Sequence, residues 1–360
     1  MSVPKKNSNK DCENKFESER TRLISRVRGL LNNEMTDSFD EIALAIFRFQ
    51  VSYNEVYREF VNLMGVKVDA VSNYRNIPFM PVEFFRSHKI VTGEFTPQTI
   101  YRSSGTSNSG ARSEHIIRSV DWYNEVSHEI YSELVRPVEE SVWYALLPGY
   151  LERGDASLVA MAQSFMHTSG HGDKFYLDNY DALSEDLIKT LSGDKPAVVI
   201  GVTHALLNWL EGGGVSESLK DEIAVSSLTI IETGGMKGHG HEPIRDEVHS
   251  RIKSVLPNVN IISEYGMTEL LSQAYCADGR YFTPPSIMRV IVRDVSDPGT
   301  EVKRGRTGRL QIIDLANIDS CSFLSTSDLG SLRDEPDSCD FEVLGRFDHA
   351  EVRGCNLLTV

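Results

Sequence analysis

The sequence predicts an α/β fold: a largely parallel sheet with its helices, followed by a smaller β subdomain. Two observations carry this expectation. The runs VWYALLP (142–148), AVVIGV (197–202), SLTIIETGG (227–235) and VNIISEYG (259–266) read as buried strands separated by helical stretches. Apolar strands alternating with helices build parallel sheets. After about Ala277 the texture changes. MRVIVRDV (288–295), GRLQIIDL (308–315) and FEVLGRF (341–347) are short or alternating strands joined by Gly, Asp and Pro turns, with no long helix between them. The expected division is a disordered polar tail over 1–15, an α/β core with an N-terminal helical region over 16–276, and a β subdomain over 277–360.

Taken in chain order, Glu17 to about Val66 is helical, with Ile42, Ile46, Phe49, Val56 and Phe60 at mixed three- and four-residue spacings. Pro78, Pro81 and Pro97 break regular helix after it. Thr99–Tyr101 reads as strand-like, and a helical run is expected from about Ser113. HALLNWL (204–210) is the helix after AVVIGV, and Gly212-Gly213-Gly214 read as its C-cap and exit turn rather than as a phosphate loop. Phe84 and Phe85 read as core residues, although Pro81 to Phe85 and Thr203-His204 are also candidate walls of a substrate pocket.

Composition narrows the function. The 360 residues are 40% hydrophobic and 25% charged, ordinary for a globular chain long enough to bury a substantial core. A net charge of −15 argues against a nucleic-acid surface, which needs clustered Lys and Arg. The polar start MSVPKKNSNKDCENKFESER lacks the apolar heart of a signal peptide, and no apolar run has the length of a membrane span. Cysteines at 12, 276, 321, 339 and 355 are odd in number and lack CxxC spacing. They fit reduced thiols in a cytoplasm better than disulfides or a zinc site.

Two segments are chemically loaded. In YRSSGTSNSGARSEH (101–115), Ser103, Ser104, Thr106, Ser107 and Ser109 supply hydroxyls, while Gly105 and Gly110 let backbone N–H groups turn toward an anion. Ala111 and Arg112 stand where a Walker loop needs Lys and Ser/Thr, which excludes that motif. In SEYGMTELLSQ (263–273) a strand ends at Tyr265-Gly266, and Thr268 and Glu269 follow where a helix is expected to begin. A hydroxyl beside a carboxylate suits a phosphate oxygen and its Mg²⁺, though a plain helix cap would use the same residues. His239-Gly240-His241 lacks a third ligand at metal-binding spacing.

Together these segments resemble the adenylate-forming superfamily of acyl-CoA ligases, luciferases and peptide-synthetase adenylation domains, from about Tyr101 to Gly354. SSGTSNSG resembles the family's phosphate loop, ETGGM (232–236) the turn along adenine, with Gly234 and Gly235, and EYGMTE the signature after it, Tyr265 to Glu269. GRTGRL (305–310) and STSDLG (325–330) resemble the next two motifs, and GRFDHAEVRG (345–354) the hinge. The resemblance implies the family's large N-terminal domain and ATP with Mg²⁺ as cofactors. It implies phosphates along Ser103, Ser104, Gly105, Thr106 and Ser107, with Gly266, Met267 and Thr268 also at the nucleotide. Glu269 would hold the metal, Asp328 the ribose hydroxyls, and Arg346 would approach the ribose. Asp348 would be the pivot of the hinge.

Two departures from the family shape the expectation. The loop lacks the usual lysine, leaving Arg112 as the nearest cation. The sequence also runs only six residues past Gly354, without the family's mobile C-terminal domain and its lysine. This ending resembles the LuxE-like acyl-protein synthetases, whose chains finish on a Gly-Cys and a short apolar tail. That resemblance implies a fatty acid activated as acyl-AMP and then carried on Cys355 to a protein or other thiol acceptor. A thiolate is a good nucleophile toward an acyl-adenylate, and neighbouring Arg353 favours it. A ligase related to phenylacetate–CoA ligases, with CoA as acceptor, and a non-catalytic nucleotide-binding protein stand as alternatives.

Overall fold

The computed structural model describes residues 7–34, 37–104, 112–149, 154–193, 195–234 and 244–347, with side chains from Glu13 onward. Three helices lead: α1 (Asn7–Leu31), α2 (Phe39–Tyr53) and α3 (Glu55–Leu63). Helix α1 begins inside the stretch expected as a tail. Lys and Glu keep good helix propensity even where a segment has little to bury, so polarity alone did not exclude a helix there. Ser38 starts α2 through a capping box: its hydroxyl accepts from the Glu41 amide, and the Glu41 carboxylate accepts from the Ser38 amide at 2.9 Å. Ile42, Ile46 and Phe49 are buried, as their spacing implied.

These helices are fastened to a segment nearly three hundred positions away in sequence. Gln50 Nε2 donates to the Asn317 carbonyl at 2.9 Å, and Gln50 Oε1 accepts from the Ser322 amide at 3.0 Å. Arg20 pairs with Asp319, Nη2 lying 2.6 Å from Oδ2. Because Gln50 and Asn317 are buried, leaving either unpaired would be costly.

Strand β1 (Met80–Pro81) and a 3-10 turn (Val82–Arg86) precede a hairpin of β2 (Thr99–Arg102) and β3 (Glu114–Ile117). Thr99 stands opposite Ile117 and Arg102 opposite Glu114. The helix expected from Ser113 is therefore a strand. The β-branched pair Ile116-Ile117 is buried against β2, and the next helix, α4 (Val120–Leu134), waits for Ser119, whose hydroxyl accepts from the Trp122 amide at 3.1 Å.

The central sheet runs in the order β4 (Val142–Leu146), β5 (Ala197–Gly201), β6 (Leu228–Glu232), β7 (Asn260–Tyr265), β8 (Ala274–Cys276). Its first four strands are parallel and β8 is antiparallel to β7. The crossovers run through α5 (Ser157–Ser169) and α6 (Tyr180–Leu191), then α7 (Thr203–Glu211) and α8 (Glu217–Val225), then α9 (Arg245–Val255). Every residue of β4, β5 and β6 is buried, which is why they read as unbroken apolar runs. Gly212 ends α7 with its amide on the Asn208 carbonyl at 2.8 Å, and Gly213, at φ +85°, turns the chain out as expected.

The second sheet holds β1, β11 (Phe323–Leu332), β10 (Gly308–Asp314) and β9 (Met288–Arg293) in that order, with β12 (Phe341–Arg346) also on β11. All pairs are antiparallel except β1 with β11. Residues 80–81 thus join a sheet otherwise made from the segment after Ala277. Glycine at 330 lets β12 close on β11, since a Cβ there would lie 2.0 Å from the Glu342 carbonyl oxygen. No described helix is long and apolar enough to cross a membrane.

Candidate active site

The carboxyl ends of β6 and β7 open into a cleft of about 1090 Å³, walled also by the hairpin base, the 3-10 turn and the β11–β12 ribbon. Ligands of open α/β sheets sit in this position. Ser103, Ser104, Gly234, Tyr265, Gly266, Met267, Thr268, Glu269, Asp328 and Arg346 all line it. Gly105, Thr106, Ser107, Gly235 and Cys355 lie outside the described residues, as do Asp348 and the His239-Gly240-His241 run. Of the suggested pocket walls, Val82, Glu83 and Thr203 line the cleft, whereas Phe85 is core.

One side of the cleft is built by cross-strand pairing. The β11–β12 register sets Asp328 opposite Arg346, with Arg346 Nε 3.8 Å from Asp328 Oδ1. Tyr265 reaches from β7 and donates its hydroxyl to Asp328 Oδ2 at 2.7 Å. Burial pushes the Asp328 carboxyl up, while the Tyr265 hydrogen bond and the Arg346 charge pull it back. On the neighbouring side, Glu232 at the end of β6 accepts from the Thr203 hydroxyl and from the Gly234 amide at 2.7 Å. Gly234 sits at φ +70°, a conformation that favours glycine.

The helix expected after Tyr265-Gly266 does not form. The Leu270 amide donates to the Met267 carbonyl at 3.1 Å, closing a turn with Thr268 and Glu269 at its corners. Asp314 holds the exit from that turn. Its carboxylate accepts from the amides of Leu271 (2.8 Å), Ser272 (3.1 Å) and Ala316 (3.1 Å) and from the Ser272 hydroxyl at 2.6 Å. The Leu271 and Ser272 amides are thereby taken from any helix. A helix cap therefore does not account for Thr268-Glu269.

Behind the turn, Glu269 is buried, and burial pushes its carboxyl up while a hydrogen bond from Ser113 opposes the shift. The Asn317 side chain donates to the Glu269 carbonyl oxygen at 2.7 Å. His115, read at first only as the end of the serine-rich motif, places Nδ1 at 2.8 Å from the Thr268 carbonyl, so Nδ1–H donates. Phe85 packs edge-on against its ring. Burial lowers the His115 pKa to about 4, so the ring stays neutral in the folded protein. An unfolded histidine titrates near 6.5 and so binds more protons between the two values, and stability is lost as pH falls through that window. The expected loss is on the order of 3 kcal/mol between pH 7 and pH 4. Chemical denaturation of wild type and His115→Gln across this range checks it: the His115 contribution to the acid slope should vanish in the variant, and parallel slopes would show that His115 is not its source.

The hairpin base is also tied. The Ser103 amide donates to the Ser113 carbonyl at 3.1 Å, and the Ser113 amide donates to Ser103 Oγ at 3.0 Å. Arg112, the nearest cation by sequence, forks Asp155 at 2.9 and 3.0 Å, so its charge is already met within the protein. Glu264 was not singled out by sequence. Burial beside Glu232 pushes its carboxyl up to about 8, so it is mostly protonated at pH 7 in the wall of the cleft.

Among the described residues no group of three or more His, Cys, Asp or Glu could hold a metal ion by itself. A single buried carboxylate beside a threonine hydroxyl still fits Mg²⁺, which completes its oxygen shell with phosphate and water.

No family model matches this sequence, and no curated protein matches it. Solved structures do. A 2-hydroxyisobutyryl-CoA ligase in complex with 2-HIB-AMP and CoA matches with a TM-score of 0.63 at 13% identity, over 90% of this chain and 69% of that one. Its open conformation gives 0.61 at 13%, over 86% and 70%. ATP-bound MatB from Rhodopseudomonas palustris gives 0.50 at 16%, over 69% of this chain and 47% of that one. At these identities the likeness is one of fold. With its parallel sheet, its antiparallel β ribbon and the cleft between them, the chain has the fold of the N-terminal domain of the adenylate-forming ligases.

Proposed function

We propose that this protein activates a carboxylic acid with ATP, forming acyl-AMP and pyrophosphate, and then passes the acyl group to a cysteine thiol in the manner of an acyl-protein synthetase. The observation that carries the first step is the gathering of Ser103 and Ser104, Gly234, the Tyr265–Glu269 turn, Asp328 and Arg346 around one cleft from five separate segments. The similar structures hold ATP or an acyl-adenylate, which fits a cleft of this make-up.

In this reading Asp328, steadied by Tyr265 and Arg346, accepts from the ribose hydroxyls, and the Gly234 turn lies along the base. Ser103 and Ser104, with the serine-rich loop beyond them, face the phosphates, and Thr268 donates near the α-phosphate. Glu269 would hold Mg²⁺, which when bound would neutralise phosphate charge. A substrate carboxylate oxygen bonds to the α-phosphorus as the bond to the bridging oxygen breaks, and pyrophosphate leaves with that electron pair. Positioning and charge neutralisation govern such a step, with no protein nucleophile.

In the second step a thiolate attacks the acyl carbon, AMP leaves, and a thioester remains. The resemblance names Cys355 as that thiol, a fatty acid as the acid, and a partner protein or other thiol as final acceptor. The unpaired state of Cys276, Cys321 and Cys339 agrees with a cytoplasmic setting. CoA as acceptor is the second reading, supported by the CoA bound in one of the similar structures.

The test is ATP–pyrophosphate exchange across a panel of carboxylic acids. Exchange that depends on one class of acid is the expected result, and chain length within that class sets the specificity. A protein that binds ATP yet exchanges with no acid would instead be a nucleotide-binding regulator.

A further inference from the structure

The described cleft holds five arginines, at 86, 102, 245, 280 and 346. Four of them are engaged. Arg102 pairs with Glu114 at 2.8 Å, Arg280 with Glu342 at 3.4 Å, and Arg346 faces Asp328. Arg245 lies over the Phe282 ring at 4.3 Å and donates to the Arg280 carbonyl at 3.0 Å. Arg86, at the end of the 3-10 turn Val82–Arg86, lines the cleft as an exposed residue whose side chain has no hydrogen bond or ion pair among the described residues. Its charge nevertheless acts on the Glu269 carboxyl.

The turn that carries Arg86 is held in place rather than loose. Phe85 is buried and packs on the His115 ring, which in turn holds the Thr268 carbonyl. Glu83 accepts from the Ser327 hydroxyl at 2.6 Å, next to Asp328. The same short turn therefore touches the structures proposed for the phosphates and for the ribose. Arg112 pairs with Asp155 and does not line the cleft. A triphosphate bringing about four negative charges needs a cation from somewhere else.

We propose that Arg86 is the cation that binds the β- and γ-phosphates of ATP, and hence the pyrophosphate leaving group. This rests on the nucleotide reading above. A guanidinium presents a planar fork that two phosphate oxygens can share, and one with no side-chain partner among the described residues has no bond to any of them to break in doing so. Electron density moves onto the bridging oxygen as pyrophosphate departs, so the contact strengthens as the reaction proceeds.

The discriminating measurement is calorimetric binding of Mg·ATP and of AMP to the full chain. Arg86→Gln should weaken ATP roughly tenfold or more while changing AMP less than about twofold, and Arg86→Lys should recover part of the loss. Because the side chain is exposed, the variants should unfold with the wild type. A ratio of ATP to AMP affinity that is the same in wild type and Arg86→Gln overturns the role of Arg86 alone. Wild-type protein that binds neither nucleotide overturns the nucleotide reading, and this proposal with it.

Discussion

Replacing Cys355 by Ser is expected to abolish covalent labelling of the chain by radiolabelled acid and ATP, while acid-dependent pyrophosphate exchange stays within about twofold of wild type. The reason is a separation of labour between two reactions. Exchange needs only phosphorus chemistry in the cleft, whereas labelling needs a thiolate to attack the activated acyl carbon. A serine hydroxyl has a far higher pKa and, without a base, accepts acyl groups poorly at neutral pH. The label on wild type should be released by neutral hydroxylamine, as a thioester is. Equal labelling of wild type and variant would remove Cys355 from the mechanism, and no label on either chain would favour CoA as acceptor.

Glu269→Gln is expected to reduce exchange by roughly 100-fold to 1,000-fold, the scale seen when a preorganised charge-stabilising group is lost from a site. The amide keeps the shape of the buried side chain but cannot supply the negative oxygen that a magnesium ion prefers. Raising Mg²⁺ should recover part of the rate if the defect lies in metal binding. The folded protein should not suffer, because burial already disfavours the charged form of this carboxyl. Exchange at the wild-type rate, with an unchanged response to Mg²⁺, would exclude Glu269 as the metal residue.

Much of the fold was legible because burial writes itself into the sequence. Strands β4, β5 and β6 have no solvent face, so each appears as a continuous apolar run. Local signals misled where the deciding partner was distant. Nothing within GARSEHIIRS announces that Ile116 and Ile117 will lie on Thr99 and Ile100 across a loop. MTELLSQ has the look of a helix start, but Asp314, more than forty positions later, claims the Leu271 and Ser272 amides. The two-residue strand β1 was invisible for the same reason, since only its pairing with β11 makes it a strand.

The site divides along the same line. Residues with motif-like spacing, Tyr265 to Glu269 and Asp328, were recognisable, and the structure brings them to one cleft. Residues that act through three-dimensional neighbours were not. His115 supports the Thr268 carbonyl from another strand, and Glu264 is pushed up by its burial and by Glu232 beside it. In the sequence, Arg112 is only the cation nearest the serine-rich loop. Its bidentate bond to Asp155 could not be foreseen from a separation of forty-three residues.

The pairing of β12 with β11 has a further kinetic meaning. Arg346 is in the cleft wall, and the chain reaches Cys355 only eight residues after Phe347. Eight residues span at most about 28 Å even when fully extended. If Cys355 is the acceptor proposed above, its thiol, confined within that radius of the rim, would act at a local concentration on the order of 10 mM, whatever the protein's concentration in solution. Acyl capture by such a thiol would be first order in enzyme and insensitive to dilution. A free thiol acceptor would have to reach comparable concentrations to compete for the same acyl-AMP.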